Sequence, residues 1–358
     1  MNQEIFLKIN GVKIKVTTSY SKYRDYLCSY FNKVIVDSKD SRDQDIEIIA
    51  DWKKDFLGNN PLGISIKEGA NAIGANTFIS AGGISAIKKI GRKKKVKLDF
   101  KLKESKLTLW ATSRSKAIKD KLRYDIFRWP QEPYFFELTF VLIYYPLFWY
   151  LEYFKNTHIL HASAVKIKDK CILICGLEGI GKTTLSLSLA KEENAILFSD
   201  NLVFYDKNNI AACYEPIRIH KSDEKSLWEG RFEKINKFRT LKDFYEPVTF
   251  NSDLNSHPDI AFIPLFGKEF QTKEVLPGQF VNKILNINQL TAELGNYNEY
   301  ASLLSLLNPD FKIWDSRHDA LLSLLGRTCC YEISMHKPDG VKANIEKLKN
   351  FIYKTCAK

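Results

Sequence analysis

Residues Gly176-Leu177-Glu178-Gly179-Ile180-Gly181-Lys182-Thr183 spell G-x-x-x-x-G-K-[ST] in full, and they follow the apolar run Cys171-Ile172-Leu173-Ile174-Cys175. A strand feeding such a loop and a helix leaving it are what the pattern requires. The glycines let the backbone turn its N–H groups inward, and the helix N-terminus adds a favourable field for anions. Gly176 through Thr184 are therefore candidate phosphate-binding residues. Lys182 is placed to reach the β- and γ-phosphates and Thr183 to hold Mg²⁺, so the chain is expected to bind ATP or GTP. Lys182 to Asn194 reads as the following helix, although Leu185, Leu187 and Leu189 alternate as in a strand. Their position after the loop decides for helix.

With 358 residues, 45% apolar and 13% aromatic, the chain can fill a substantial core. Met1-Asn2-Gln3-Glu4-Ile5 shows no basic region leading into an apolar one, so no signal peptide is expected and the protein is expected in the cytoplasm. Seven cysteines without a C-x-x-C spacing read as buried free thiols. The run Leu138–Leu151 is strongly apolar but, at 14 residues closed by Glu137 and Glu152 and interrupted by Pro146, is too short to span a bilayer. It reads as a buried helix, or as two helices meeting near Pro146.

The formal charge of +12 is concentrated. Lys88, Lys89, Arg92, Lys93, Lys94, Lys95, Lys97, Lys101, Lys103 and Lys106 face only Asp99 and Glu104 in their window. Such a segment is either a docking surface for an acidic partner such as an acidic peptide, or a hairpin edge kept soluble by lysines. Nucleic acid is not expected, because Phe100 alone interleaves an aromatic ring among these lysines.

Asn10-Gly11 between Ile5–Ile9 and Val12–Val16 predicts an opening β-hairpin. A helix over 20–34, a strand over 45–50 and a second hairpin, 96–100 with 107–110, complete a mixed α+β region over 1–125. Gly69, Gly74, Gly82, Gly83 and Gly91 make its middle read as loops. Residues 126–157 form an aromatic helical brace, and 158–358 the nucleotide-binding domain. There, 161–167 and 171–175 form a hairpin, followed by short strands at 195–198, 202–205 and 210–214. Residues 222–260, without clear period, read as an excursion, and helices are expected at 279–290, 297–307, 315–326 and 342–354 around a strand at 330–333. The fold class is therefore α+β or α/β.

A phosphoryl-transfer site needs an acid at a strand end, and Asp200 stands only eighteen residues after Lys182. His161, twenty-one residues before Lys182, begins the strand that pairs with the loop strand. The order of these parts, His161, the loop, and Ser199-Asp200-Asn201, resembles the catalytic domain of HPr kinase/phosphorylase. It is still more similar to stand-alone HPr-kinase-like proteins associated with ribosomal peptide biosynthesis, through His161-Ala162-Ser163-Ala164-Val165 and Tyr214-Glu215-Pro216-Ile217-Arg218. The resemblance covers about 145–220.

It implies a P-loop kinase in which Asp200 is the general base, His161 tunes it and Lys182 stabilises the transferring phosphoryl group. Thr183 with Asp200 or Glu215 would hold Mg²⁺, while Arg218 and Lys221 would meet phosphate. The implied substrate is a serine hydroxyl of a peptide or small protein, with a ribosomal precursor peptide as one candidate, and the implied assembly is a homo-oligomer. Where the family commonly carries two adjacent acids, this chain has Asp200-Asn201, and no downstream phosphorylase signature follows. A nucleotide-binding regulatory module without transfer, and a kinase of a small molecule such as free serine, remain as alternatives.

Overall fold

The computed structural model describes residues 3–37, 43–53, 71–74, 76–80, 83–90, 94–114, 131–220, 232–235, 242–247 and 254–356. Gly69, Gly82, Gly91, Arg92, Lys93 and Lys221, and much of 222–260, lie outside them. Contacts divide the chain into two compact units. One comprises Met1–Lys155, Ile235–Asp243 and Tyr300–Phe311, and the other Asn156–Lys234, Phe244–Glu299 and Lys312–Lys358. Helices and strands alternate in mixed sheets, an α+β/α/β fold class.

In the first unit, β1 (Gln3–Ile9) and β2 (Val12–Thr18) pair around Asn10 and Gly11, whose φ values of 46° and 74° are those of a primed hairpin turn. Helix α1 (Ser21–Tyr30) follows, then β3 (Ile46–Lys53), β4 (Asn71–Gly74), β5 (Thr77–Ser80), β6 (Gly83–Ile90), β7 (Lys94–Lys103) and β8 (Lys106–Arg114). They form one eight-stranded sheet in the order β1-β2-β3-β8-β7-β6-β5-β4. The glycine-rich stretch expected as loops thus contributes three strands. Gly83 shows why glycine there is compatible with a strand: a Cβ would lie 2.0 Å from the Phe100 carbonyl oxygen, and φ is 141°. The residue serves close approach of two backbones, not a loop.

One face of this sheet is covered by aromatic helices. Tyr23, Tyr26, Leu27 and Tyr30 of α1 are buried, and the Tyr23 ring lies 5.3 Å from that of Phe135. Phe135 belongs to α2 (Glu132–Thr139), which runs through a π-helical turn (Phe140–Tyr144) into α3 (Tyr145–Lys155). The π turn sits immediately before Pro146, which has no N–H to give the preceding turn and whose ring crowds it. Widening the helix by one residue, with the Tyr145 N–H donating to the Phe140 carbonyl, accommodates the proline without ending the helix. The result is a 24-residue helix, long and apolar enough by length and composition to cross a membrane, although the 14-residue run alone is not. Its most apolar window is 78% buried inside the protein, and Glu152 is fully buried.

The second unit holds β9 (His158–Leu160), β10 (Ala162–Ile167), β11 (Lys170–Cys175), α4 (Lys182–Leu189), β12 (Ile196–Ser199), β13 (Val203–Tyr205), β14 (Ile210–Ala212) and β15 (Ile217–His220). It continues with β16 (Phe232–Lys234), β17 (Lys242–Pro247), β18 (Asn255–Ser256), β19 (Ile260–Gly267), β20 (Gln271–Glu274), α5 (Pro277–Gln289), α6 (Ala292–Ser305), α7 (Ile313–Leu325), β21 (Cys329–His336) and α8 (Gly340–Cys356). From Tyr300 on, α6 belongs to the first unit. A six-stranded sheet, β12-β10-β11-β19-β21-β20, has β11 parallel to β19 and β19 parallel to β21. Among the described residues of the expected excursion at 222–260 are the short strands β16, β17 and β18 and the first residue of β19.

Both faces of β11 are buried. Cys171, Leu173 and Cys175 join a core with Phe280, Val281 and Ile284 of α5 and Leu321, Leu324 and Leu325 of α7. Ile172 and Ile174 join another with Leu185 and Leu189 of α4 and Ile345, Leu348 and Ile352 of α8. The alternating leucines of α4 divide between surfaces: Leu185 and Leu189, one turn apart, face the sheet, and Leu187 packs on Ile217 and Ile219 of β15. Six described cysteines are free; Cys171, Cys175, Cys213 and Cys330 are buried, whereas Cys329 is exposed and Cys28 partly so.

Gly83→Ala is expected to lower unfolding stability by about 2–4 kcal/mol, because both the Phe100 carbonyl and the positive φ oppose a Cβ. Chemical denaturation of the two proteins checks it, and a loss under about 0.5 kcal/mol would mean the strands separate at no cost.

Candidate functional site

Strand β11 ends at Cys175 and α4 begins at Lys182, so the glycine-rich segment is a strand-to-helix loop. Gly179 and Gly181 take φ of 80° and 95°, and a Cβ on Gly176 would press within 3.0 Å of the Ile180 side chain. Each glycine is thus needed by conformation or by space. The first helical bond runs from the Leu185 N–H to the Gly181 carbonyl, leaving the amides of Lys182, Thr183 and Thr184 as first-turn donors. The Lys182 ammonium donates to the carbonyls of Gly176 and Leu177 at 2.9 and 3.0 Å. Lys182 is buried, which lowers its pKa, and the nearby Asp200 carboxylate pulls it back up.

Asp200 follows β12 and is nearly buried. Its carboxylate accepts a hydrogen bond from the Ser186 hydroxyl at 3.4 Å and lies near enough to Thr183 for that residue to lower its pKa, so it faces the first turns of α4. The Ser163 hydroxyl donates to its main-chain carbonyl and fixes the backbone there. Burial raises the Asp200 pKa, opposed by Thr183, Arg218 and Lys182.

His161 is placed otherwise than expected. Its Nε2 lies 3.1 Å from Asn201 Oδ1, and no hydrogen bond joins it to Asp200. The register that pairs Leu160 with Val203 is the same one that pairs Ala164 with Ser199. His161 therefore falls at the interruption between two ladders, where the facing backbone is 200–202 and Asn201 is the side chain within reach. Its own N–H is taken by Asn288 at 3.3 Å. Burial, and then the Lys182 charge, lower the ring pKa to about 4, so His161 is neutral at physiological pH.

Asn201 also donates through Nδ2 to Glu215 Oε2 at 2.9 Å. An ionised carboxylate only accepts, so Asn201 must offer it the NH₂ and keep its oxygen for His161. That oxygen in turn requires the imidazole proton on Nε2, leaving Nδ1 a lone-pair acceptor; Nδ1 is buried without a hydrogen-bond partner. The amide thus does what a second aspartate could not do beside buried Glu215. Burial pushes the Glu215 pKa up to about 7, against the Arg218 charge and the Asn201 bond. Its Oε1 is likewise without a hydrogen-bond partner, with Arg218 3.6 Å away. Arg218 is held at 3.0 Å by Glu293. Burial acts to raise the Glu293 pKa, but the charge and hydrogen bond of Arg218 prevail and hold it low.

The structure therefore brings together Lys182, Thr183 and Asp200, and next to them His161, Asn201, Glu215 and Arg218. Sequence reading missed Ser186, Asn288 and Glu293. Ser186, three residues after Thr183 on the same helix, carried a spacing signal; Asn288 and Glu293 lie on α5 and α6, far along the chain, and carried none. For Mg²⁺ the residues fit: Thr183 and Asp200 set a hydroxyl and a carboxylate side by side, and Mg²⁺ retains waters and needs only one or two protein oxygens. Among the described residues no three His, Cys, Asp or Glu converge as a fuller metal cage. No family model matches the chain, and no curated protein matches it.

Glu215 gives a pH prediction. Its folded pKa, about 7, exceeds the ordinary 4.5, so the folded state binds the proton more tightly and this group's contribution to stability declines as pH rises from about 4.5 to about 7. Glu215→Gln removes that decline. Relative to the parent, the variant should gain up to about 3 kcal/mol on going from about pH 4.5 to about pH 8. Urea titrations at both pH values measure it, and a pH-independent difference would refute the buried carboxyl.

Proposed function

We propose that the chain is an ATP-dependent kinase transferring the γ-phosphoryl group to a hydroxyl, of serine in our reading, on a peptide or small protein. The observation that carries this reading is that the Asp200 carboxylate faces the first turns of the loop helix, where Ser186 donates to it at 3.4 Å and Thr183 and Lys182 both act on its pKa. A phosphate cradle and a carboxylate of raised pKa occupy one spot, which joins phosphate binding to proton removal.

ATP is held by the loop amides from Gly176 to Thr184. Lys182 exchanges its two carbonyl acceptors for β- and γ-phosphate oxygens, which restore to its amine the anionic surroundings that burial removes. Mg²⁺, held by Thr183 and Asp200 with Glu215 nearby, would supply charge neutralisation on the phosphates. Asp200 accepts the proton of the attacking hydroxyl as the new O–P bond forms and the bond to the β-phosphate oxygen breaks, releasing ADP. Its desolvation makes it a stronger base than a solvated aspartate, and a positioned base is worth about 10²–10⁴-fold in rate. His161, neutral and with Nδ1 free to accept, orients the acceptor hydroxyl or a neighbouring donor, while Asn201 fixes its tautomer. Arg218 stands by as the cation for phosphate once it leaves Glu293.

A second reading, nucleotide binding without transfer, is favoured by the same ion pair: Arg218 is engaged by Glu293, and Lys182 by its own loop.

Asp200→Asn should leave ATP affinity within a few-fold of the parent and cut transfer at least about 10²-fold. Calorimetry with ATP and labelled-phosphate transfer to serine peptides separate the two effects. Persistence of transfer at the parental rate removes Asp200 as base, and ATP binding with every acceptor unlabelled by the parent supports the regulatory module. Lys182→Ala should weaken binding and transfer together, and normal turnover by that variant would remove the loop from the mechanism.

A further inference from the structure

The eight-stranded sheet of the first unit has two unlike faces. Ile5, Val16, Ile48, Leu109, Phe100 and Ile84 lie in one row across six strands and are all buried, on the face under the aromatic helices. On the opposite face, Ile49 of β3 pairs with Trp110 of β8, which is 37% exposed. Lysines flank this apolar pair along β7. On one side Lys97 stands opposite Thr112, and beyond it Lys95 stands opposite Lys89 of β6. On the other side Lys101 stands opposite Thr108, and beyond it Lys103 stands opposite Lys106.

Lys97 is neutralised by Asp99 and Lys106 by Glu47, at 2.9 and 2.8 Å. Lys89, Lys95, Lys101 and Lys103 are exposed and have no acidic partner among the described residues. Protection of a sheet edge does not account for them, because β7 lies inside the sheet between β8 and β6. Lys89 and Lys95 are directly opposed across strands, an arrangement that costs stability and that an anion relieves, while Lys103 stands opposite Lys106, whose charge Glu47 already meets.

We propose that this face docks an acidic, amphipathic peptide segment, with an apolar side chain set against Trp110 and Ile49 and carboxylates taken up by Lys89 and Lys95 on one side and Lys101 and Lys103 on the other. Lys95 and Lys103 are about 26 Å apart along β7, the span of roughly eight extended residues or of a helix of about five turns. A single strand of nucleic acid is the poorer fit: it draws on a series of stacking rings, and this patch presents Trp110 with aliphatic Ile49 beside it. The docking needs no nucleotide and stands apart from the reading of the phosphate loop.

The test uses the full chain without nucleotide and fluorescence anisotropy of a labelled peptide of Leu-Glu-Glu-Leu repeats. A Leu-Gln-Gln-Leu counterpart and an oligothymidylate of matching charge are the controls. The acidic peptide should bind, the glutamine peptide should bind at least roughly tenfold more weakly, and Lys95→Glu with Lys101→Glu should cost the acidic peptide at least as much. Trp110→Ser should weaken binding several-fold, with circular dichroism unchanged in the lysine variant, which touches only exposed side chains. Binding unaffected by the lysine reversals, or oligothymidylate binding as tightly as the acidic peptide, would overturn the proposal.

Discussion

Burial of β11 on both faces is the constraint on which the second unit depends. A strand covered on one side can slide or twist toward water, whereas one held between two apolar layers has its direction and end fixed. Because Cys171, Leu173 and Cys175 serve one layer and Ile172 and Ile174 the other, the chain must emerge at Gly176 at a defined point. The pairing of β11 with β10 on one side and β19 on the other then sets where the loop stands relative to 199–201. The position of Asp200 against Thr183 follows from that register, with Ser163 fastening the backbone at the crossing.

Around the loop the charges form a graded set. Lys182 and Arg218 are the cations; Asp200, Glu215 and Glu293 are the carboxyls; burial works against the charge of Lys182 and of the three carboxyls, and the neighbouring charges oppose it. Glu293, bonded to Arg218, stays low, while Glu215, 3.6 Å from the same guanidinium, rises to about 7. Of two carboxyls sharing one arginine, burial thus prevails at Glu215, while the charge and hydrogen bond of Arg218 prevail at Glu293. The two cations differ in their local partners: Lys182 is held by two neutral backbone carbonyls, whereas Arg218 is held by the carboxylate of Glu293.

What the sequence made legible was local. The hairpin at Asn10-Gly11, the strand before Gly176 and the helix after it rest on residues adjacent in the chain, and the structure has them within a few positions. Gly83 misled because a glycine needed for close backbone approach in a strand looks, in sequence, like a glycine needed for a turn. Pro146 left one buried helix and two helices both open, because the sequence does not show that a π turn can absorb the proline within a single helix. His161 was expected against Asp200 from the resemblance and from its place on the strand beside the loop strand. The interruption between the ladders at 161 and 200–202 redirects it to Asn201, and that depends on β9 and β13 belonging to a different sheet from β10 and β12. Asn288 and Glu293 could not be found by spacing, since helices distant in sequence deliver them.

Asn201 illustrates how a departure from a pattern can be read physically. In isolation, an amide where a second acid is common looks like a lost metal ligand. In its surroundings it is the one short side chain that can donate to Glu215 and accept from His161 at once. An ionised aspartate there could still accept from the imidazole but would set two carboxylates against each other in a buried space and leave Glu215 Oε2 without its donor. The pair Asn201 and Glu215 is therefore better understood as one unit: an amide that reads the charge of the glutamate and hands the histidine a single tautomer. Glu215 changes charge near neutrality, and because its Oε1 has no hydrogen-bond partner a proton can be taken up there while Oε2 goes on accepting from the amide.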